Sequence, residues 1–296
     1  MMRLHGKPIV WAIALSVLAG CSGKDEAELE RATWGWDQAI MYESVKRVKE
    51  LIASGADVNT RNKDGLTPLA YAIKNKEFEI GLLLIKAGAD VNARDKNGCP
   101  ILHRVAAMGR DKFAQALINA GADVNARDDH GYTPLHYYAT KTTWRRGGDG
   151  DTDKVVPVLL SAGADINARA NAGGEEDHGD TPLLLAVRCV NAEEVISQLL
   201  EAGADPNARD DEGNTPLHLE ILQCRVLYRD DIITSLLGAG ADPTLRNNDG
   251  LTPLQVAERD RSFLDEAYRL IKLKQLLGED GTKNDAPPVP ATKGDR

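Results

Sequence analysis

The sequence has few aromatic residues and few cysteines. Phe, Trp and Tyr make up 5% of the 296 residues, and there are 4 cysteines. The closely spaced cysteine pairs typical of zinc sites are absent. So are the Gly-rich phosphate loop ending in Gly-Lys-Ser or Gly-Lys-Thr, the His-Glu-x-x-His helix and the Gly-x-Ser-x-Gly nucleophile turn. The sequence therefore predicts that the protein is not an enzyme, with no catalytic residue, no metal site and no cofactor.

Positive charge is in the minority. The chain has 36 Lys and Arg against 45 Asp and Glu, which gives a formal net charge of −9 at pH 7. General binding to nucleic acid needs clustered Lys and Arg to contact the phosphates. The balance therefore argues against a nucleic-acid partner, and no small-molecule substrate is expected.

A long apolar run is also missing, and the N-terminus has only a short one. Arg3 and Lys7 precede an apolar stretch from Ile9 to Leu18, followed by small residues and Cys21. A transmembrane helix would need about 20 apolar residues, so we prefer a secretory signal over a membrane span. An ordinary cleaved signal is the alternative to the lipoprotein signal described next.

The segment Leu18-Ala19-Gly20-Cys21 resembles the bacterial lipobox. The resemblance implies that residues 1–20 are a lipoprotein signal peptide and that Cys21 is lipidated, with residues 21–32 forming the lipidated Cys and a polar tether. Several acyl chains on one residue would give stable anchoring to a membrane. Ser22 in the next position suggests the outer membrane, with the protein facing the periplasm of the bacterial cell envelope.

One phrase, Gly-Ala-Asp, is repeated along the chain. It begins at Gly55, Gly88, Gly121, Gly163, Gly203 and Gly240, and a Thr-Pro-Leu phrase follows most copies about ten residues later. Thr before Pro predicts a helix start, because the Thr hydroxyl can accept a first-turn N–H and Pro suits the first helical position. Apolar pairs one turn apart predict a second helix that ends at Gly.

These phrases and their 33-residue spacing resemble the ankyrin repeat. The resemblance implies an all-α ankyrin-repeat solenoid of stacked helix-turn-helix units with extended hairpin-like loops. We assign the array of about seven repeats to residues 33–277, with repeats at 33–64, 65–97, 98–130, 131–178, 179–212, 213–249 and 250–277. The polar and Pro-rich residues 278–296 are expected to be a disordered tail.

Two repeats depart from the pattern. In the third, Pro100 replaces the capping Thr, which is expected to cost on the order of 1 kcal/mol. The fourth has insertions around residues 140–153 and 172–178, and insertions in repeat arrays often lie on the binding face. Asp149-Gly150-Asp151-Thr152-Asp153 has the alternating carboxylates of a calcium loop but lacks its Gly and Glu, so a polar turn is preferred.

The first insertion contains Trp144-Arg145-Arg146. Trp and Arg are enriched at the centres of protein interfaces, so this segment is a candidate anchor for a partner. The alternative is a solvated loop whose Trp packs against its own helices.

The ankyrin resemblance further implies that variable positions at the loop tips and on the first helices choose a partner protein. These positions, together with Trp144, Arg145 and Arg146, form the predicted protein-binding surface: Asp64, Leu66, Lys74, Asn75, Lys96, Asn97, Met108, His130, Tyr132, Lys141, Asp180, Arg188, Asn214 and Gln223. Ala107, Thr140 and Leu251 occupy similar positions.

Several polar residues have structural interpretations. His103, His136 and His218 match the His of the ankyrin repeat and are expected to tie adjacent loops. Cys189 and Cys224 could pair, although unpaired thiols are preferred because neighbouring repeat backbones are too far apart for a disulfide. Glu220 either pairs with a cation such as Arg225 or is exposed by rotation of its helix.

The leading hypothesis is a membrane-tethered periplasmic scaffold that binds a partner protein, with inhibition or neutralisation of that partner as a more specific form. A support protein that aids maturation or oxidative-stress protection of a periplasmic enzyme is the alternative. A hydrolase with an unrecognised site is a third class, which the motif search disfavours.

Overall fold

The computed structural model describes residues 35–95, 98–140, 154–171, 178–189, 192–223 and 230–259. The chain divides into two compact units, residues 1–90 and 91–296. Each is described by itself. The predicted signal peptide, Cys21, the tether and the tail from residue 278 lie outside the described residues, as do the Asp149–Asp153 segment, Cys224 and Arg225.

The first unit contains two helix pairs. Residues 35–41 form α1, followed by α2 (Val45–Ala53), α3 (Pro68–Lys74) and α4 (Phe78–Lys86). Trp36 is 1% exposed and its indole Nε1 donates to the carbonyl oxygen of Asp57 at 3.1 Å. This bond satisfies the polar edge of a buried aromatic ring, so Trp36 can anchor the first pair against the loop that follows it.

The second unit continues the same alternation of helices. Its described helices are α5 (Ile101–Ala107), α6 (Asp111–Asn119), α7 (Pro134–Ala139), α8 (Val155–Ser161), α9 (Pro182–Arg188), α10 (Glu193–Glu201), α11 (Pro216–Gln223), α12 (Asp230–Gly238) and α13 (Pro253–Arg259). Among the described residues an isolated β-bridge joins Arg94 and Pro100. The predicted all-α class is confirmed for the described residues.

The helices begin where the Thr-Pro-Leu phrases predict. Thr67 caps α3 by accepting from the Ala70 N–H at 3.3 Å, and Thr181 caps α9 by accepting from the Leu184 N–H at 3.4 Å. Helix α5 begins after Pro100 and has no side-chain cap, as its sequence indicates. Each Thr cap satisfies one N–H that has no partner within the helix.

The second helix of each pair buries the predicted apolar stripe. In α8, Val155, Val156 and Leu159 are at most 1% exposed, and the chain leaves the helix through Gly163 at φ 89°. A side chain bearing a Cβ would be strained at that angle, so the Gly of the repeated phrase terminates the helix.

Histidines tie three helices, α5, α7 and α11, to the loop that follows in the next repeat, as the resemblance implied. The Nε2 atoms of His103, His136 and His218 donate to the carbonyl oxygens of Tyr132, Asp180 and Leu251 at 2.8, 3.0 and 2.9 Å. All three imidazoles are 0% exposed, and burial lowers their pKa values, that of His136 to about 4. The neutral imidazole is therefore the form that stabilises the stack.

Glu220 lies on α11 and is 0% exposed. Of the two alternatives left open by the sequence, exposure of Glu220 by rotation of its helix is therefore excluded. A carboxylate in this position replaces a small apolar residue, and removal from water is costly for a charged group unless it is compensated locally.

Candidate protein-binding surface

The predicted binding positions divide by exposure. Asp64, Lys74 and Asn75 are exposed in the first unit; in the second, His130 is exposed, while Met108, Tyr132 and Arg188 are half-buried. The structure does not describe the side chains of seven other predicted residues, which are Lys96, Asn97, Lys141, Trp144, Arg145, Arg146 and Gln223. The exposed and half-buried residues therefore remain candidates for binding a partner, except where the side chain holds two loops of the structure together.

Three predicted positions are corrected. Leu66, Asp180 and Asn214 are 9%, 2% and 3% exposed, so their side chains cannot meet a partner in this conformation. Leu66 belongs to the apolar core of the first unit. Asn214 donates to Glu212 Oε2 at 3.0 Å and accepts from Asn247 Nδ2 at 2.9 Å. Its side chain therefore joins two successive loops.

Arg188 is a structural tie, which also differs from the prediction. Its guanidinium lies 2.8 Å from Asp180 and 2.7 Å from Asp210, which are loop residues at the two ends of the fifth repeat with side chains 3% and 0% exposed. Burial raises the pKa of Asp180, and the nearby Arg188 opposes that shift. Arg188 therefore compensates two buried carboxyl groups that otherwise would lack a cation.

Three aromatic side chains meet at the boundary of the third and fourth repeats. We call His130, Tyr132 and Tyr137 the aromatic platform. The Tyr132 ring lies 6.1 Å from the His130 ring and 6.5 Å from the Tyr137 ring, centroid to centroid. Beneath it, His136 stacks on Tyr132 at 5.4 Å and His103 meets the edge of Tyr137 at 5.0 Å. Buried histidines thus support half-exposed tyrosines.

Asp128 fixes the geometry of this platform. Its Oδ1 accepts from the N–H groups of His130 at 3.0 Å and Tyr132 at 2.9 Å, forming the turn that Asp favours. Its Oδ2 accepts from the Tyr137 hydroxyl at 2.8 Å, and burial raises the pKa of that hydroxyl. One carboxylate therefore positions all three aromatic residues, so the platform loses little freedom on binding.

The missing cap on α5 leaves a polar atom unsatisfied. In α7 the Nδ1 of His136 accepts from the Thr133 N–H at 3.1 Å. Pro100 occupies the equivalent position before His103 and has neither an N–H nor a hydroxyl, and His103 Nδ1 has no hydrogen-bond partner. The lost cap is predictable from the sequence, but the unsatisfied Nδ1 of His103 is not.

A row of arginines was missed altogether. Arg stands six residues after the Gly of every Gly-Ala-Asp phrase, at Arg61, Arg94, Arg127, Arg169, Arg209 and Arg246, and all six side chains are exposed. The signal was present in the sequence as a fixed position in the repeat. The net charge of the whole chain does not reveal this local positive charge.

Two properties of the described residues bear on other classes of site. No group of three or more His, Cys, Asp or Glu side chains there could hold a metal ion. Among the same residues, no helix combines the length and apolar character needed to cross a membrane.

The fold and the loop ties define a helical repeat array in which paired helices are joined by hydrogen-bonded loops. Family models for ankyrin repeats match residues 36–128, 81–170 and 159–219, which together span more than half of the 296 residues. The chain belongs to the ankyrin-repeat family. Arrays of this family serve as scaffolds for protein interaction.

Solved structures agree with this assignment. The chain is similar to the ankyrin repeat domain of Bcl-3, a member of the IkappaB protein family, with 27% identity over 78% of this chain and 96% of that one, at a TM-score of 0.62. It shares its fold with the human ASB11 ankyrin repeat domain, with 22% identity over 75% of this chain and 90% of that one, at a TM-score of 0.60. No curated protein matches the chain.

Proposed function

We propose that this protein is a membrane-tethered periplasmic scaffold that binds a partner protein and inhibits or neutralises it. The aromatic platform is the observation that carries the proposal. Tyr132 and Tyr137 are half-buried, are held by Asp128, and present their rings beside the exposed His130. Rigid tyrosines that combine an apolar body with a polar tip are enriched at the energetic centres of interfaces.

The platform adjoins the insertion predicted to contact the partner. Helix α7 carries Tyr137 and ends at Ala139, and Trp144, Arg145 and Arg146 follow in the sequence. Residues from both segments would give one interface the mixture of Tyr, Trp and Arg that dominates binding energy. The lipobox supports the membrane tether, since a lipidated Cys21 would hold the array close to a membrane surface.

The test is crosslinking of the full chain in cells, followed by mass spectrometry of the captured proteins. One dominant partner, captured in a fixed ratio, is the expected result. Tyr132→Leu should reduce that capture by about tenfold, the loss expected for a modest hot spot of about 1.4 kcal/mol. Leu is a suitable replacement because Leu66 and Leu251 occupy the same position in other repeats.

Tyr42→Ala is the matched control, because Tyr42 is 73% exposed and lies in the first unit, outside the platform. It should leave capture unchanged. Equal capture by the wild type and Tyr132→Leu would place the interface elsewhere. A diffuse set of abundant envelope proteins, unaffected by either change or by Ala at Trp144, Arg145 and Arg146, would contradict a dedicated scaffold.

An activity assay on the captured partner separates the forms of this function. Suppression of the partner's activity at a one-to-one ratio supports inhibition. Reduced folding or oxidant resistance of the partner after deletion of the scaffold would instead indicate the support role.

A further inference from the structure

Five of these arginines, Arg94, Arg127, Arg169, Arg209 and Arg246, lie along the loops of the second unit and form what we call the arginine row. Arg94, Arg127, Arg169 and Arg209 each donate to the backbone carbonyl of the next arginine in the row, with N···O distances of 2.7 Å for Arg94, 2.6 Å for Arg127 and 2.6 Å for Arg209. Arg246 closes the row by donating to Gly250 O at 2.6 Å. Because the backbone holds each guanidinium in place, little side-chain freedom is lost when its remaining donors bind an anion.

Arg169 shows which kind of group can accept hydrogen bonds from those donors. While its Nη1 bonds to the carbonyl of Arg209, its Nη2 donates to Asp211 Oδ1 at 2.8 Å. Asp211 comes from the loop of the next repeat, two residues after the next arginine of the row. The chain therefore supplies its own carboxylate to this guanidinium without disturbing the backbone tie.

The equivalent carboxylate is replaced by an amide beside two other arginines. Asn171 stands two residues after Arg169 and is therefore the equivalent, for Arg127, of Asp211. Asn248 stands two residues after Arg246 and is the equivalent for Arg209. Both Asn residues keep the loop contact, since their N–H groups donate to His130 O at 3.0 Å and Glu212 O at 2.9 Å, as Asp211 donates to His178 O at 2.9 Å. The loops match, and the carboxylate alone is missing.

We propose that Arg127 and Arg209 bind two carboxylates of an extended acidic segment of the partner protein. The inference rests on the proposed protein-binding function and names the chemistry of one part of the partner. The arginines are exposed along the loops, which suits an extended chain better than a small molecule, since small ligands bind in concave pockets. Asp211 favours a carboxylate over a phosphate as the group received, because it is the chain's own occupant of the equivalent position.

The experiment measures binding of a fluorescein-labelled Glu-Gly repeat peptide to the full chain in detergent, by fluorescence anisotropy at low and moderate salt. The wild type should bind, more weakly as salt rises, because exposed ion pairs are screened. Asn171→Asp combined with Asn248→Asp should weaken binding at least tenfold, because each new carboxylate would occupy its arginine. This variant keeps every arginine and its bond to the next loop. It removes the amide donors of Asn171 to Asp129 O and of Asn248 to Asp211 O, so circular dichroism and the unfolding midpoint must show that the loops remain folded.

Asp211→Asn should act in the opposite direction, strengthening binding several-fold by releasing Arg169. Arg127→Gln combined with Arg209→Gln should also abolish binding, and circular dichroism would show whether that variant is folded. The matched control is Arg47→Gln combined with Arg259→Gln, which removes the same charge from exposed ion pairs outside the row. It should change binding less than twofold.

Wild-type affinity in the Asn171→Asp, Asn248→Asp variant would overturn the proposal, as would an unchanged affinity in Asp211→Asn. Inorganic polyphosphate is the competing probe. If it binds tightly while the Glu-Gly peptide does not, the row recognises phosphate and the acidic peptide is excluded. Since the probe is synthetic, a failure here is independent of whether crosslinking in cells captures a partner.

Discussion

Arg188 allows a quantitative test of how the repeats hold together. Its side chain is 26% exposed and lies within 2.8 Å of two carboxyl groups that are almost fully buried. Replacing Arg188 by Met removes the cation, keeps most of the apolar stem, and leaves Asp180 and Asp210 facing each other. Breaking a buried ion pair costs about 3–5 kcal/mol. Because the guanidinium is partly solvated, we expect the lower end, about 3 kcal/mol.

The chain itself suggests the compensating change. Asp210 Oδ1 accepts the N–H groups of Glu212 at 3.0 Å and Asn214 at 2.7 Å, and Asn247 Oδ1 accepts the corresponding N–H groups of its own loop at 3.1 Å. Asn can therefore form this turn without a charge. Asn214 likewise stands where Asp180 stands in the preceding repeat.

Arg188→Met combined with Asp180→Asn and Asp210→Asn should therefore recover stability to within about 1 kcal/mol of the wild type, because no unpaired charge is left buried. Urea unfolding followed by circular dichroism gives the loss and the recovery, and hydrogen exchange locates them. In a repeat array, stability is a sum of neighbour terms, so faster exchange should concentrate in α9 and α11.

A loss below about 1 kcal/mol in Arg188→Met would refute the assignment of this side chain as a tie. So would a triple variant no more stable than the single one. The reasoning would also fail if exchange accelerated equally in both units, because the effect would then not reflect the local ion pairs.

Three further predictions follow from the described residues and the N-terminal motif. Lowering the pH from 7 to 5 should reduce the free energy of unfolding by about 2 kcal/mol through His136 alone. The pKa of His136 in the folded protein is about 4, below the ordinary 6.5, so the unfolded chain takes up the proton first and stability is lost as the pH falls through this window. Urea unfolding midpoints measured as a function of pH test this prediction. Pro100→Thr should raise stability by about 1 kcal/mol by restoring the cap and a partner for His103 Nδ1, and Pro100→Ala, which restores only the N–H, should give less. Cys21→Ser should abolish labelling with palmitate and release the protein from the membrane fraction; unchanged labelling would exclude the lipobox assignment.

Much of the fold was predictable because the repeat encodes it locally. The Thr caps, the left-handed Gly and the buried apolar stripe each depend on residues within one or two turns of helix. Thr181 and Gly163, for example, take the positions that their own short phrases specify. The histidine ties were predictable for a related reason, since each links consecutive units of a periodic structure.

Three of the corrected residues occupy one position of the repeat, the residue before the capping Thr. It is Leu66, Asp180 and Asn214 in three repeats, all buried, and Tyr132 in another, half-buried. Asp180 is buried beside Arg188, and Arg188 also binds Asp210, which lies 22 residues further along the chain. A pairing of that range depends on how two repeats stack, which no local pattern specifies.

These assignments determine how a mutational scan of the binding surface must be interpreted. Ala at Arg188 or Asn214 would reduce partner capture because the loops would lose their ties, and the result would resemble loss of a contact. Tyr132→Leu leaves the capping, histidine and backbone ties in place. The paired Asn171→Asp and Asn248→Asp changes keep the capping and histidine ties and remove two amide bonds to loop carbonyls. Loss of binding in these variants at an unchanged unfolding midpoint would therefore report on contact with the partner itself. The stability of each variant must therefore be measured together with its affinity. Arginine, for example, ties two buried carboxylates together in α9 and serves as an exposed hydrogen-bond donor along the loops.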